Sequence, residues 1–328
     1  MTIDFIEVSR ISDDHGPMTL NVALDGDQTA PLVLFVHGFP ETWASWRNQM
    51  AHFAERGFRV AAMDVRGYGG SSKPAEIAAY RITELAADAA SVITHLTPDA
   101  PAIIVGHDWG APIAWQTARL HPELVRAVAG LSVPYSPASE GDPMELWNLI
   151  YAGKFFYMTY FQEPGVAEAA FEADIGAAVR KVYFAASGDA SRDLWLADAP
   201  ASHAFLDGMI DPDPAPAWMT TEVTEPTIAA LAKGGTHGPF NRYRAQVLDG
   251  QELHRLADPI IGQPACFIGG ENDIVRHFVP GMDLYESVDG GFSDFRTKTI
   301  IDNAGHWVQQ ERPAETNAAL ADFFAGLG

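Results

Sequence analysis

The stretch at 106–110, Gly-His-Asp-Trp-Gly, constrains the fold of this chain more than any other. An apolar run at 102–105 comes before it, and a run that can form a helix, at 111–120, comes after it. A strand, a G-x-X-x-G turn and a helix in this order are the plan of a nucleophile elbow. The glycines permit a sharp turn that pushes the central side chain outward. The sequence therefore predicts that Asp108 projects from the end of a strand as a nucleophile.

An aspartate at the centre of this turn limits the chemistry. Hydrolases of this plan often carry serine there, which must lose a proton before it attacks. A carboxylate is already ionised, so it attacks a carbon directly and forms an ester. Asp108 therefore points away from peptide or ester hydrolysis and towards the opening of an epoxide or the displacement of a halide. An isolated aspartate on a loop is usually a solvated charge, but the elbow favours the nucleophile.

Apolar runs of strand length alternate with helical patterns along most of the chain. Strands are predicted at 3–8, 18–24, 31–36, 59–64, 102–105, 125–132, 264–270 and 297–301, and helices at 43–53, 83–96, 111–120 and 313–326. Such alternation indicates an α/β fold with a mostly parallel central sheet and helices on both faces.

This alternation stops between about 135 and 245. Helix-like segments occur there at 143–160, 165–171, 174–186 and 224–233, with no clear buried strand. The segment is therefore predicted to be an inserted helical cap at 135–245. The α/β core would then consist of residues 1–134 and 246–328.

Four sites fall at the carboxyl ends of predicted strands, where an open α/β sheet places its active site. They are the His-Gly-Phe-Pro loop at 37–40, Asp108, Asp273 and His306. The order nucleophile, acid, histidine is the one used with this elbow. Glu271 and Asp302 lie near Asp273 and His306, and remain alternatives for the acid. His37 and His107 flank backbone turns, where structural hydrogen bonding is expected rather than proton transfer.

Several motifs resemble those of one family, the soluble epoxide hydrolase-like members of the α/β-hydrolase fold. The matching pieces, in chain order, are His-Gly-Phe-Pro-Glu at 37–41, Arg-Gly-Tyr-Gly-Gly-Ser-Ser at 66–72, Gly-His-Asp-Trp-Gly at 106–110, Tyr-Phe-Gln-Glu-Pro-Gly at 160–165, Gly-Pro-Phe-Asn-Arg-Tyr-Arg at 238–244 and Gly-His-Trp at 305–307. They span most of the chain, although Gly-His-Asp-Trp-Gly alone also occurs in haloalkane dehalogenases.

The resemblance implies a mechanism in two steps. Asp108 would attack an epoxide carbon while two cap tyrosines, matched here by Tyr157 and Tyr243, hydrogen-bond the ring oxygen. His306, oriented by Asp273, would then take a proton from a water molecule that attacks the ester. The substrates would be a small epoxide and water, the product a vicinal diol, and no metal or organic cofactor would be needed.

The resemblance also implies roles around the nucleophile. The backbone N–H groups of Phe39 and Trp109 would form the oxyanion hole, and both side chains, with Tyr160, would contact the substrate. Tyr157 and Tyr160 would share a side of a helix, so Tyr160 stays a competitor for the role of the first tyrosine.

Two other functions remain as alternatives. Haloalkane dehalogenases commonly place an asparagine after His-Gly in the first loop, where this chain has Phe39. Fluoroacetate dehalogenases, which act on a haloacid, carry an arginine after the nucleophile, where this chain has Trp109. Both departures favour an epoxide hydrolase. A non-catalytic ligand receptor on the same fold would need neither the two tyrosines nor an aspartate nucleophile.

Composition excludes some partners and compartments. A net charge of −22 argues against binding to nucleic-acid phosphates. No apolar run approaches the roughly 20 residues of a membrane span, and no signal-peptide pattern is apparent. Cys266 is the single cysteine, predicted in a buried strand, so an internal disulfide is excluded. We therefore expect a cytoplasmic protein, and the sequence does not indicate its oligomeric state.

Overall fold

The central sheet follows the predicted alternation. The computed structural model describes residues 3–138, 140–191, 199–256 and 258–328. Its strands there are β1 Asp4–Ser12, β2 Gly16–Asp25, β3 Leu32–Val36, β4 Arg59–Met63, β5 Ala102–His107, β6 Val125–Leu131, β7 Ala265–Gly270 and β8 Phe295–Ile301. They form one sheet in the order β1-β2-β4-β3-β5-β6-β7-β8. β2 pairs antiparallel with β1 and β4, and the remaining neighbours pair in parallel, which confirms the mostly parallel sheet.

Helices flank this sheet and also occur in the segment between β6 and β7. In the described ranges they are α1 Arg47–Ala54, α2 Ile82–Leu96, α3 Gly110–Leu120, α4 Pro143–Ile150, α5 Tyr157–Tyr160, α6 Val166–Glu172, α7 Ile175–Ala186, α8 Thr221–Gly234, α9 His237–Glu252, α10 Val308–Glu311 and α11 Pro313–Ala325. We call α4–α9 with their connections the cap.

The core packs on both faces of the sheet because successive side chains of a strand point to opposite faces. In β3, Leu34 and Val36 join a cluster with α2, α3 and the cap. Val33 and Phe35 join a second cluster with α1 and α11. Phe35 stacks on Trp46 there with ring centroids 5.0 Å apart. Burial on both faces explains why β3 is apolar without alternation.

Two predicted helices differ from the structure. The pattern beginning at Trp43 forms a 3-10 turn at Trp43–Trp46, and α1 begins only at Arg47. The single helix predicted at 143–160 is divided into α4 and α5. Gly153 lies between them with φ of +75°, a left-handed conformation that interrupts a right-handed helix.

The cap lies over the carboxyl ends of the strands. Phe39, in the loop after β3, contacts the rings of Phe161, Phe171 and Phe240 from the cap, with centroids 5.4–5.9 Å apart. Through these contacts the cap covers the carboxyl-terminal edge of the sheet, where the sequence predicts the site residues.

Helix α9 was not predicted, and it runs through the domain boundary predicted at 245. The Gly-Pro pair near its start is typical of a turn, which obscures the helix in the sequence. Pro239 lies in the first turn of α9, where its missing N–H breaks no helical hydrogen bond.

Contacts with the core continue along α9. The Arg242 guanidinium donates to the carbonyl of Tyr80 and to the carboxylate of Asp249. Asp249 in turn accepts the N–H of Ile82, at the start of α2, at 2.9 Å. Helix α9 is therefore attached to the core as well as to the cap.

Two expectations from composition can be compared with the structure. Cys266 lies in β7 and is fully buried, as predicted. Among the residues that the structure describes, no helix combines the length and apolar character needed to cross a membrane.

Candidate active site

Asp108 lies on a sharp turn between β5 and α3, as the elbow predicts. Its φ is +50°, a left-handed conformation that non-glycine residues rarely adopt. A Cβ atom at Gly106 would lie 1.9 Å from the carbonyl oxygen of Gly110, and one at Gly110 would lie 2.0 Å from that of Val36. Both glycines are therefore required for strand, turn and helix to pack this closely.

The carboxylate of Asp108 accepts two polar contacts. The N–H of Phe39 donates to its Oδ1 at 2.7 Å, and Nε2 of His306 lies 3.3 Å from its Oδ2. The missing side chain of Gly38 makes room, since a Cβ there would lie 2.3 Å from Oδ1. Burial acts to raise the pKa of Asp108, but the hydrogen bond and charge of His306 outweigh it, so this pKa lies below its usual value. The surroundings of Asp108 thus favour its ionised carboxylate.

His306 lies between Asp108 and Asp273. Its Nδ1 is 3.0 Å from Oδ1 of Asp273, which is fully buried and follows β7. The same Oδ1 accepts the N–H of Val275 at 2.9 Å. Burial would lower the pKa of His306, but the charge of Asp273 and the hydrogen bonds to both carboxylates raise it to about 10. His306 is therefore an imidazolium at neutral pH in the free protein.

The two alternative acids lie on the surface. Glu271 is exposed and accepts the backbone N–H of Asn303 at 3.1 Å, and Asp302 is also exposed. The structure thus brings Asp273, rather than either neighbour, to the imidazole of His306.

Tyr157 and Tyr243 face the same space above Asp108. Both are buried, and their ring centroids lie 5.9 Å apart in an edge-to-face arrangement. Burial and then the charge of Asp108 raise the pKa of each hydroxyl well above its usual value. Both hydroxyls therefore keep their protons and can act as hydrogen-bond donors.

Tyr160 does not join this group. Its ring packs against Phe155 and Phe161, with centroids 5.6 and 6.1 Å apart, and it hydrogen-bonds the backbone of Phe205. It is absent from the lining of both pockets that contain Asp108. The substrate contact predicted for Tyr160 is not supported by these two pockets and stays a prediction.

Trp109 and Phe39 lie on either side of Asp108. Trp109 immediately precedes α3, so its N–H belongs to the first turn, which has no partners within the helix. Its indole ring lies under the guanidinium of Arg242, 4.6 Å from the ring centroid, and against the edge of Tyr243. Phe39 also contacts Tyr243 edge-to-face at 5.3 Å. The rings of Trp109 and Phe39 thus hold the ring of Tyr243 from two sides.

Two connected spaces meet at Asp108. The inner one, of about 20 Å³, is large enough for one water molecule. Its lining includes Asp108, His306, Tyr157 and Tyr243. The outer one, of about 430 Å³, has the size of a small-molecule site. It is lined mainly by apolar side chains, among them Trp109, Trp147, Met158, Val275, Phe278 and Leu284.

The two histidines that flank the turns form structural hydrogen bonds, as expected. Nε2 of His37 accepts the N–H of Val65 at 3.0 Å. The ring nitrogens of His107 lie 2.9 Å from the carboxylate of Glu41 and 2.8 Å from the carbonyl oxygen of His306. These contacts support the backbone behind Asp108 and His306.

One buried carboxylate near His306 was missed by the sequence analysis. Glu311, the last residue of α10, accepts the N–H groups of Gly305 and Trp307 at 2.9 and 3.0 Å. It also accepts the N–H of Gly188 from the cap at 2.9 Å. The sequence offers no signal for this contact, because Glu311 looks like an ordinary acid before a surface helix.

Comparison with known proteins shows what this arrangement is similar to. A family model described as the alpha/beta hydrolase fold matches residues 31–313. Epoxide hydrolase A of Mycobacterium tuberculosis is 38% identical over 97% of both chains, and epoxide hydrolase 2 of Siraitia grosvenorii is 34% identical over 97% of this chain and 98% of its own.

Solved structures give the same result. Epoxide hydrolase A from Mycobacterium thermoresistibile is 37% identical and superposes with a TM-score of 0.89 over 99% of both chains. Potato epoxide hydrolase I, 30% identical, superposes with a TM-score of 0.85 over 99% of this chain and 100% of its own. The chain therefore belongs to the α/β-hydrolase-fold family, and within it to the epoxide hydrolases.

Proposed function

We propose that this protein hydrolyses epoxides to vicinal diols through an ester formed on Asp108. The observation that carries the proposal is the meeting of four groups in one space. The inner space is lined by the carboxylate of Asp108, the imidazole of His306 and the rings of Tyr157 and Tyr243. The relatives described above are named epoxide hydrolases, which is the same reaction class.

In the first step, the Asp108 carboxylate attacks a carbon of the epoxide ring. A new bond forms between the carboxylate oxygen and that carbon, and the carbon–oxygen bond of the ring breaks. The oxygen keeps the electron pair and accepts hydrogen bonds from Tyr157 and Tyr243, which stabilise the charge as it develops. Their raised pKa values support this role, because a neutral hydroxyl can donate where a phenolate cannot.

In the second step, water attacks the carbonyl carbon of the ester. Esterification removes the negative charge of Asp108, so His306 then faces only the charge of Asp273 and its pKa falls. The imidazolium proton can leave towards the alkoxide, and the neutral ring can take a proton from water. The N–H groups of Phe39 and Trp109 would stabilise the tetrahedral oxyanion. Its collapse releases the diol and regenerates Asp108.

The pocket supports a small, predominantly apolar epoxide as substrate. Its outer part, of about 430 Å³, is lined by rings and aliphatic chains such as Trp147, Met158 and Phe278. Burial of each substrate methylene against such walls contributes roughly 0.8 kcal/mol. The apolar walls would bind the substituent, and the two tyrosines would orient the ring.

A single turnover in ¹⁸O-labelled water tests this mechanism. Excess enzyme would be mixed with styrene oxide, and the diol and the Asp108 peptide would be analysed by mass spectrometry. We expect an unlabelled first diol and the label in the Asp108 carboxylate, because the transferred oxygen comes from the protein. Asp108→Ala, which removes the proposed nucleophile, is the control; it should stay folded and give neither the diol nor the labelled peptide.

Other outcomes of this experiment exclude the proposal. A labelled diol with an unlabelled Asp108 would mean that water attacks the epoxide directly. Absence of diol from styrene oxide and from aliphatic epoxides, with halide release from haloalkanes, would make the protein a dehalogenase. Binding of epoxides without any conversion would make it a receptor.

A further inference from the structure

The backbone around His306 is held by hydrogen bonds on every side. Its own N–H donates to the carbonyl of Ala186, the last residue of α7 in the cap, at 2.9 Å. Its carbonyl oxygen accepts the hydroxyl of Ser132 at 2.7 Å and lies 2.8 Å from Nε2 of His107. The imidazole can therefore move only if this short segment moves.

Glu311 holds the residues on both sides of the histidine. Its Oε2 accepts the N–H of Gly305 and its Oε1 accepts the N–H of Trp307. The same Oε2 accepts the N–H of Gly188, just beyond α7. One carboxylate thus joins the histidine loop, defined as residues 305–307, to the end of a cap helix.

The contact leaves no space for a side chain at either glycine. A Cβ atom at Gly305 would lie 2.2 Å from the nitrogen of Gly188, and one at Gly188 would lie 2.7 Å from the carbonyl oxygen of Asn303. Glu311 itself is only 5% exposed. The three N–H groups therefore depend on Glu311 for an acceptor, since buried donors without a partner are costly.

Only an ionised carboxylate supplies these acceptors without adding a donor of its own. Burial acts against that ionised form and raises the pKa of Glu311 to about 7, while the three N–H groups favour it. A buried acid at this position is unfavourable for simple packing. The hydrogen bonds that Glu311 accepts from the three N–H groups therefore explain why an acid is buried at this position.

We propose that Glu311 is a positioning residue for ester hydrolysis, which keeps the imidazole of His306 within reach of Asp108 by fixing the histidine loop against the cap. The proposal rests on the two-step function given above. Glu311 touches no reacting atom and acts only through the loop. Its contribution should therefore appear in the second step, in which His306 activates water, and not in the attack by Asp108.

Steady-state kinetics separate these two steps. When an ester forms irreversibly and is then hydrolysed, kcat/KM depends only on binding and ester formation. Slower hydrolysis lowers kcat and KM by the same factor and leaves kcat/KM unchanged. A merely structural defect that reduces the folded fraction lowers kcat at constant KM.

Glu311→Gln is the test variant, because its amide places an N–H₂ group among N–H donors. With styrene oxide we expect kcat and KM to fall together by about tenfold or more, with kcat/KM within about twofold of the parent protein. The ester should accumulate and be seen, after acid quenching, as a mass increase equal to the substrate. Glu315→Gln, which removes an exposed carboxylate on α11, is the matched control and should behave like the parent.

A second variant tests the proposal if Glu311→Gln does not fold. Glu311→Asp keeps the charge but is too short to reach all three N–H groups, so it should show the same pattern with a smaller factor. Either variant overturns the proposal if kcat falls at constant KM, if kcat/KM falls as much as kcat, or if kcat is unchanged. Failure of the parent protein to form any ester would instead overturn the proposed function, so the two failures are distinguishable.

Discussion

In the free protein, the imidazole of His306 lies between two carboxylates, 3.3 Å from Asp108 and 3.0 Å from Asp273. Both favour the protonated ring, and the pKa of His306 rises from 6.5 to about 10. A histidine with a raised pKa contributes stability that is fully present below pH 6.5 and is lost as the pH rises through about 10. The lowered pKa values of Asp108 and Asp273 contribute stability that is lost at acidic pH.

Removal of the Asp108 charge should release the proton of His306. We expect Asp108→Asn to lower the pKa of His306 by about 1–3 units, because an opposite charge within hydrogen-bond distance has that effect. NMR titration of the histidine ring signals would measure it. Asp302→Asn, which removes an exposed charge near the same loop, should leave the titration unchanged. An unchanged pKa in Asp108→Asn would mean that Asp273 alone holds the proton, and that ester formation cannot convert His306 into a base.

At the scale of elements, the tight crossing of β5 and α3 determines where Asp108 projects. The two glycines of the elbow approach backbone oxygens so closely that any side chain would overlap them. Because only glycine fits at these two positions, the G-x-X-x-G pattern marks the elbow in the sequence. The elbow and the apolar runs of the sheet follow from such local rules.

Other parts of the site depend on contacts between distant segments. The same spacing argument favours Tyr157 and Tyr160, and only their packing in the fold separates them. Tyr157 is buried and lines the space at Asp108, whereas Tyr160 is half-buried and packs against Phe155. Helix α9 is hidden by its Gly-Pro start. The partners of Glu311 come from 188, 305 and 307, and a sequence pattern cannot specify such a meeting.

The elbow argument predicts a large effect of one methyl group. Gly106→Ala would place a Cβ atom 1.9 Å from the carbonyl oxygen of Gly110. We expect a loss of about 2–4 kcal/mol in the free energy of unfolding, measured by urea denaturation, from overpacking between two rigid elements. Gly290→Ala is the control, because its Cβ would meet nothing within 4 Å and its φ is not positive. It should change stability by less than about 1 kcal/mol. Equal effects at the two positions would contradict the steric argument.

At the scale of the whole molecule, negative charge dominates. The chain has 43 acidic and 21 basic residues, hence a net charge of −22. The outer pocket continues into a wider groove with which it shares Trp109, Trp147 and Met158. Four acids, Glu140, Asp142, Glu145 and Asp249, line that groove. Arg242 is the one cation among the lining residues that the structure describes, and it is already paired with Asp249. Outside the lining, Arg255 lies 3.3 Å from Glu140. A substrate that approaches along this groove meets a negative field.

This field should discriminate between charged and neutral epoxides. We expect an epoxy carboxylate to have a kcat/KM about tenfold below that of its methyl ester at low salt. The ratio should approach one as the salt concentration rises, because the Debye length falls to about 10 Å at 0.1 M. Glu140→Gln combined with Glu145→Gln should reduce the difference, whereas Asp142 is left in place because it caps α4 through the N–H of Met144. A salt-independent ratio would assign the discrimination to the shape of the pocket.

The attachment of α9 to both halves of the molecule restricts how such a protein can be recombined. Its start contacts the cap ring of Phe161 through Phe240, and its later turns reach Ile82 of the core through Asp249. A chimera of two relatives that joins them at 245 would divide one helix between two parents and separate Tyr243 from Asp249. To exchange the cap between two relatives, the transferred segment would have to include α9 up to Glu252. The surface of α2 that contacts α9 would have to be transferred with it. Natural variation in this family should therefore alter the cap more freely in α4–α8 than at this junction.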